Sequence, residues 1–238
     1  SGLDLTYMVD FDTDAGDGSA LGTDENSLTI AGGFGKVVLG MDDDASDSYT
    51  LDEMDLIAEE PSATLASASI GSSSSISSDD ARKVAYHLPA MGGLTAGISH
   101  TDRTAAGGTD STSYGARYTM DAGGAAITIG GGSSTTEQVS GTVDIESQNI
   151  GVKVVSGDIT VIGATASYEA TNADEEANGI GVKFKVNDAM SLGAYTVKVS
   201  DSTGTTDEEY TNTGAEVTYS IASGLTAYIN ISDYDYKT

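Results

Sequence analysis

Segment after segment of this chain places an apolar side chain at every second position and a small or polar one between. In 94–101 Leu94, Ala96 and Ile98 alternate with Thr95, Gly97 and Ser99; in 179–186 Ile180, Val182, Phe184 and Val186 alternate with Gly179, Gly181, Lys183 and Lys185. In 214–221 Ala215, Val217, Tyr219 and Ile221 alternate with Gly214, Glu216, Thr218 and Ser220. Period two is the mark of β-strands with two unlike faces, because successive side chains point to opposite sides of a sheet. Helical spacing is hardly seen outside 51–58, and 30 Gly with only 2 Pro disfavour long helices without suggesting a Pro-rich linker. The chain is all-β.

The connections narrow the choice of sheet. Tight turn signals sit at 90–93, 121–124, 156–158, 187–190 and 223–224, spaced by 31 to 35 residues from one to the next. Between them lie polar stretches near 102–113, 133–146, 171–178 and 201–211, rich in Asp, Glu, Ser and Thr. One rim is tight and the other is long, which is the pattern of an antiparallel up-and-down transmembrane β-barrel. A strand of ~10 residues rising ~3.4 Å each and tilted ~40° reaches about 26 Å, the height of the apolar band of such barrels. A soluble β-sandwich alternates too, but it would bury a face of large residues; here one face is Gly, Ser, Thr, Lys and Glu, as water requires. A solenoid would repeat a short shared motif, and none is present.

Thirteen strands are expected, near 3–11, 26–32, 35–41, 81–89, 94–101, 114–121, 125–132, 147–156, 159–170, 179–187, 190–200, 212–222 and 225–236. They form a single barrel domain over 1–238, interrupted by one long insertion at 42–80, acidic first and Ser-rich after. Long loops in compact proteins are uncommon and often functional. Leu51, Met54, Leu56, Ile57 and Leu65 predict that the first half of this loop packs against something, whereas Ser72–Ser78 reads as a surface excursion.

Two short motifs carry a family resemblance. Phe34-Gly35-Lys36-Val37-Val38-Leu39-Gly40 resembles the strand entering the constriction loop of Gram-negative general diffusion porins, especially the alphaproteobacterial kind. Tyr86-His87-Leu88-Pro89 followed by Gly92-Gly93-Leu94 resembles the hairpin after that loop. Two departures stand out: Met41 occupies a position where the family often has Arg, and 42–80 contains no Pro-Glu-Phe-type sequence. The resemblance implies a 16-stranded barrel in the cell outer membrane, with two strands expected before Ser1 and one after Thr238. It also implies a homotrimer whose first strands lie toward the subunit contact. Such a protein passes small hydrophilic solutes and ions by passive diffusion, with lipid around it and no chemistry inside, and loop 42–80 would fold inward and set the narrowest point.

Charge supplies the candidate site residues. Asp and Glu number 37 against 10 Lys and Arg, a formal net of −27, so nothing here could neutralise a row of phosphates. The first half of the loop carries Asp42, Asp43, Asp44, Asp47, Asp52, Glu53, Asp55, Glu59 and Glu60 with no base, and is expected to form an acidic constriction. The few bases within strands, Arg117, Lys153, Lys183, Lys185 and Lys198, are expected on the lumen wall facing it. Rings of charged side chains set ion preference, and the negative excess predicts weak cation selectivity. Tyr114, Tyr168, Tyr219 and Tyr234 near strand ends suit an interfacial girdle.

Other chemistries fit less well. There are no cysteines, and His87 and His100 are too few for a His-rich metal centre. Asp10-Phe-Asp12-Thr-Asp14 lacks the Gly and Glu of an EF-hand, since Ala15 and Leu21 stand there; no cofactor is expected, with a divalent cation such as calcium at the clustered Asp residues as the one exception. Lys36 belongs to no phosphate loop, because Val37 replaces the required hydroxyl residue. No Gly-x-Ser-x-Gly elbow occurs, and an enzyme is not expected. The rival reading is a secreted acidic structural protein, of the surface-layer or fibre kind, whose loops bind divalent cations.

Overall fold

The computed structural model describes residues 2–12, 22–57, 82–101, 110–137, 144–171, 173–203 and 206–237. They form one antiparallel sheet of thirteen strands in strict up-and-down order, each paired with its sequence neighbours. The strands are β1 (Asp4–Asp12), β2 (Gly22–Gly32), β3 (Gly35–Met41), β4 (Arg82–His87), β5 (Leu94–Thr101), β6 (Ser111–Ala122) and β7 (Ala125–Thr136). They continue as β8 (Ile145–Ser156), β9 (Ile159–Ala170), β10 (Ala173–Lys185), β11 (Met190–Thr203), β12 (Thr206–Ala222) and β13 (Leu225–Lys237). All thirteen expected strands are present; a count of sixteen is not seen among the described residues, where β1 and β13 are the two edges.

The two faces divide as the alternation requires. Ile98, Tyr114, Ile150, Ile180, Val182, Phe184, Val217 and Tyr219 point to one side and are each about half exposed. Such a band of bare aliphatic and aromatic groups suits lipid and would be costly in water. Ser99, Ser113, Ser147 and Asn149 alternate with them on the opposite, inner side and are buried there. Lys183, Lys185 and Thr218 share that inner face by position. Short turns are closed by glycines in the left-handed region, such as Gly123 and Gly124 at φ 67° and 96° between β6 and β7.

The strands are longer than the alternation indicates. β10 already begins at Ala173, and β11 and β12 run to Thr203 and from Thr206, through stretches expected to be loop. Both faces of these extensions lie beyond the apolar band, so hydropathy no longer alternates although the ladder continues. The extra residues carry the 12- to 17-residue strands β6–β12 past the 9–11 needed to cross a bilayer.

Candidate functional site

Beyond Met41 the chain turns back over the inner face instead of continuing outward. A 3-10 turn at Asp47–Tyr49 packs on β6 and β7, and a second at Glu53–Leu56 packs on β9, β10 and β11. Ala45, Tyr49, Leu51 and Leu56 are buried beneath this path, as the apolar residues of the loop require. Leu65 and Ser72–Ser78 lie outside the described residues.

Glycine makes room for the loop main chain. Gly97, Gly115 and Gly132 are cross-strand partners on β5, β6 and β7, and Gly130 pairs with Gly151 of β8. A Cβ at Gly115 would stand 2.6 Å from the Ala45 carbonyl oxygen, and one at Gly132 would stand 2.6 Å from the Ser46 Cα. At Gly130 it would meet the Tyr49 carbonyl oxygen at 2.6 Å, and at Gly151 the Leu51 Cβ at 2.8 Å. Glycine inside a strand commonly marks such a close backbone approach.

A polar chain fixes the loop in this seat. Lys83 and Asp44 form an ion pair at 3.1 Å, with side chains 0% and 2% exposed. An ionised carboxylate only accepts, so Ser99 donates to Asp44 Oδ1 at 3.3 Å, and Ser113, 2.7 Å from Ser99, must donate to Ser99 in turn. The two hydroxyl oxygens then accept from the main chain of the loop: Ala45 N–H reaches Ser99 at 3.0 Å and Ser46 N–H reaches Ser113 at 3.3 Å. Further along, the Tyr49 hydroxyl shares a 2.8 Å hydrogen bond with His87 Nδ1, and Arg117 Nη2 donates to the Thr50 carbonyl. Asn149 Nδ2 donates to Thr50 Oγ1 at 2.9 Å, while its Oδ1 accepts from Gly132 N–H at 3.1 Å.

The expected acidic residues therefore have different fates. Asp44 is internal to the seat and its charge is matched by Lys83. Asp43, Asp47 and Asp55 are exposed, and Asp42 and Asp52 are half-buried. Glu53 lies on the second 3-10 turn, and Glu59 and Glu60 fall outside the described residues. Among the described residues no group of three or more carboxylates and histidines is placed to hold a metal ion, and Asp14 lies outside them.

The bases divide as well. Arg117 is on the inner face and tied to the loop. Lys153, Lys183 and Lys185 are inner by register, toward the short-turn ends of β8 and β10; Lys183 is the cross-strand partner of Gly193, where a Cβ would meet Ile57 at 3.3 Å and the Leu56 carbonyl at 3.5 Å. Lys198 is on the outer face, against expectation: it follows the parity of Leu192 and Ala194 and pairs with Glu209 at 2.6 Å. Its neighbours Val197 and Val199 take the inner side, where they pack with Ala166 and Ala177. Apolar packing on the inner side reverses the usual polarity of the two faces in this part of β11. Tyr114 and Tyr219 point outward as a girdle requires, but Tyr168 and Tyr234 share the inner parity of Ala166 and Asn212.

Sequence reasoning missed the seat itself: Lys83, His87, Ser99, Ser113, Asn149 and the five glycines. Its one signal was glycine at inner positions of four successive strands, visible only once hairpin register lines them up.

A family model for Gram-negative porins matches residues 1–238. No curated protein matches the sequence. Among solved structures, the chain is similar to a loop L8 deletion mutant of OmpT, an outer membrane protein of Vibrio cholerae, with a TM-score of 0.71 at 20% identity over 99% of this chain and 81% of that one. It is similar to an anion-selective porin from Comamonas acidovorans, with a TM-score of 0.70 at 15% identity over 99% and 75% of the two chains. A porin refined at 1.8 Å resolution superposes with a TM-score of 0.63 at 17% identity, covering 98% and 86%. At these identities the likeness establishes the fold, an outer-membrane porin barrel.

Proposed function

The chain belongs to the Gram-negative porin family and is an outer-membrane channel protein; we propose that it is a passive, weakly cation-selective diffusion pore narrowed by loop segment 42–57. The observation that carries this reading is the seating of 44–51 on the polar inner face, with Asp43, Asp47 and Asp55 left exposed above it. Two inner-face cations are engaged by the loop itself, Lys83 by Asp44 and Arg117 by the Thr50 carbonyl. Carboxylates therefore dominate the surface that a solute meets at the loop. Small hydrophilic solutes and ions cross by diffusion, with no chemical step and no cofactor. Family membership displaces the rival reading of a secreted structural protein. The same family likeness supports a homotrimer with its first strands toward the subunit contact as part of this reading.

Reversal potentials across a KCl gradient test the selectivity. The expected result is a modest preference for potassium at 0.1 M that fades toward 1 M, as the Debye length shrinks from ~10 Å to ~3 Å. Replacing Asp43, Asp47 and Asp55 by Asn should reduce it. Preference for chloride in the intact protein would overturn the reading.

A further inference from the structure

Strand register sorts the inner-face charges by height. Toward the long-loop rim, Tyr168, Glu175, Asp201 and Glu208 are successive cross-strand partners on β9, β10, β11 and β12. Three carboxylates thus stand side by side in one row, where like charges face each other at strand spacing. The bases lie at the other end. Lys153 is four residues before the Gly157 turn, Lys183 and Lys185 close β10, and Lys36 follows the turn into β3. Among the described residues no ion pair involves Lys36, Lys153 or Lys183, while Lys185 is paired with Asp188 at 2.7 Å. The same end also holds Asp4, Asp121 and Glu216 on the inner face. Asp121 accepts from the Gly124 N–H, and Glu216, 3% exposed, accepts from the Thr218 hydroxyl. With Asp158 and Asp188 at the turns, four bases meet five acids there, close to balance, whereas among the described residues the inner face at the long-loop end of β10–β12 carries acids and no base.

We infer that the channel is an ionic rectifier, a property that rests on the diffusion-pore reading above. In a narrow lumen the acidic mouth is traversed mainly by cations, and the balanced mouth by both ions. When the field drives cations from the long-loop side inward, they arrive at the junction faster than they leave. Anions pulled the other way stop at the carboxylate row, so both ions accumulate and conductance rises. Reversing the field empties the same region of both ions and conductance falls. The larger current therefore flows when cations run from the long-loop mouth to the short-turn mouth.

Single channels in a planar bilayer with the same KCl solution on both sides test this directly. Currents at equal and opposite voltages should differ by about twofold at 0.1 M and by little at 1 M, where the Debye length is ~3 Å. A triple variant, E175Q/D201N/E208Q, should bring the ratio toward 1 by removing the acidic mouth. K153Q/K183Q should also lower it, by making both ends negative. Replacing Asp43, Asp47 and Asp55 by Asn should weaken cation preference while leaving the asymmetry in place. Equal currents at 0.1 M from a conducting wild-type channel would overturn rectification alone. Absence of any conductance would overturn the pore reading and rectification with it.

Discussion

The inner faces of β5–β8 and of β10–β12 come from the same alternation, yet they are furnished in opposite ways. On β5–β8 the inner positions under the loop include Gly97, Ser99, Ser113, Gly115, Gly130, Gly132, Asn149 and Gly151, a surface with little bulk of its own. The main chain of 44–51 fills that depth. On β10–β12 the inner positions include Tyr195, Val197, Val199, Asn212 and Glu216, so the wall is largely filled by its own side chains and meets the loop only through the second 3-10 turn. Glycine there has two uses: a Cβ at Gly214 would meet the Tyr195 ring at 2.5 Å, so that space serves a neighbouring strand, whereas one at Gly193 would meet Ile57 and Leu56 of the loop at 3.3 and 3.5 Å. Small inner residues lined up across consecutive strands mark where the main chain of another segment will lie.

The greatest expected effect is on the ion pair under the loop. Lys83→Met leaves the Asp44 carboxylate buried without its counter-charge, which should cost about 3–5 kcal/mol. Adding Asp44→Leu removes the stranded charge and should recover most of that loss. Urea midpoints of the two variants decide it, and equal destabilisation by both would show that the charge itself is unimportant.

A second test separates a seat from a plain wall. Gly115→Val pushes against the Ala45 carbonyl and the Tyr49 ring, and should cost about 1–3 kcal/mol while raising single-channel conductance as the loop lifts. Gly163→Val, on the outer face where the nearest atom lies 3.9 Å from a new Cβ, should change neither stability nor conductance appreciably. Similar behaviour of the two variants would erase the distinction between the faces.

The smallest effect belongs to the exposed counterpart of the buried pair. At the β10–β11 turn, hydrogen bonding and charge from Lys185 hold the Asp188 carboxyl below its ordinary range. Its contribution is present above the ordinary carboxylate value and is lost as pH falls through the lowered one. Water screens this pair, so Asp188→Asn should soften the acid limb of the stability profile only slightly, and not at all in 1 M salt. A large change would mean that the turn is more than a connector.

Strand number, strand order and the two faces were legible because lipid and water write opposite hydropathy on alternate positions. Legibility failed where that contrast ends. The rim extensions of β10–β12 meet water on both sides, so their ladders left no alternating trace. Lys198 was misplaced for a related reason, since Val197 and Val199 bury themselves inward there. The acidic half of the loop was recognisable as packed from Leu51, Leu56 and Ile57. Its anchoring by Ser99, Ser113 and Asn149 was not, because a serine that binds a loop and a serine that faces water are the same letter.

The hydroxyl chain from Ser46 through Ser113 and Ser99 to Asp44 and Lys83 joins residues as much as 67 positions apart in the sequence. Loop and wall are therefore one inherited unit. A substitution at 44 constrains what is tolerated at 83, and one at 45 or 51 constrains 115 or 151. Grafting 42–57 into a barrel of equal size but with alanines in place of the glycine track would leave the insert without a bed. Changes in pore width by drift along this segment must then proceed in matched pairs.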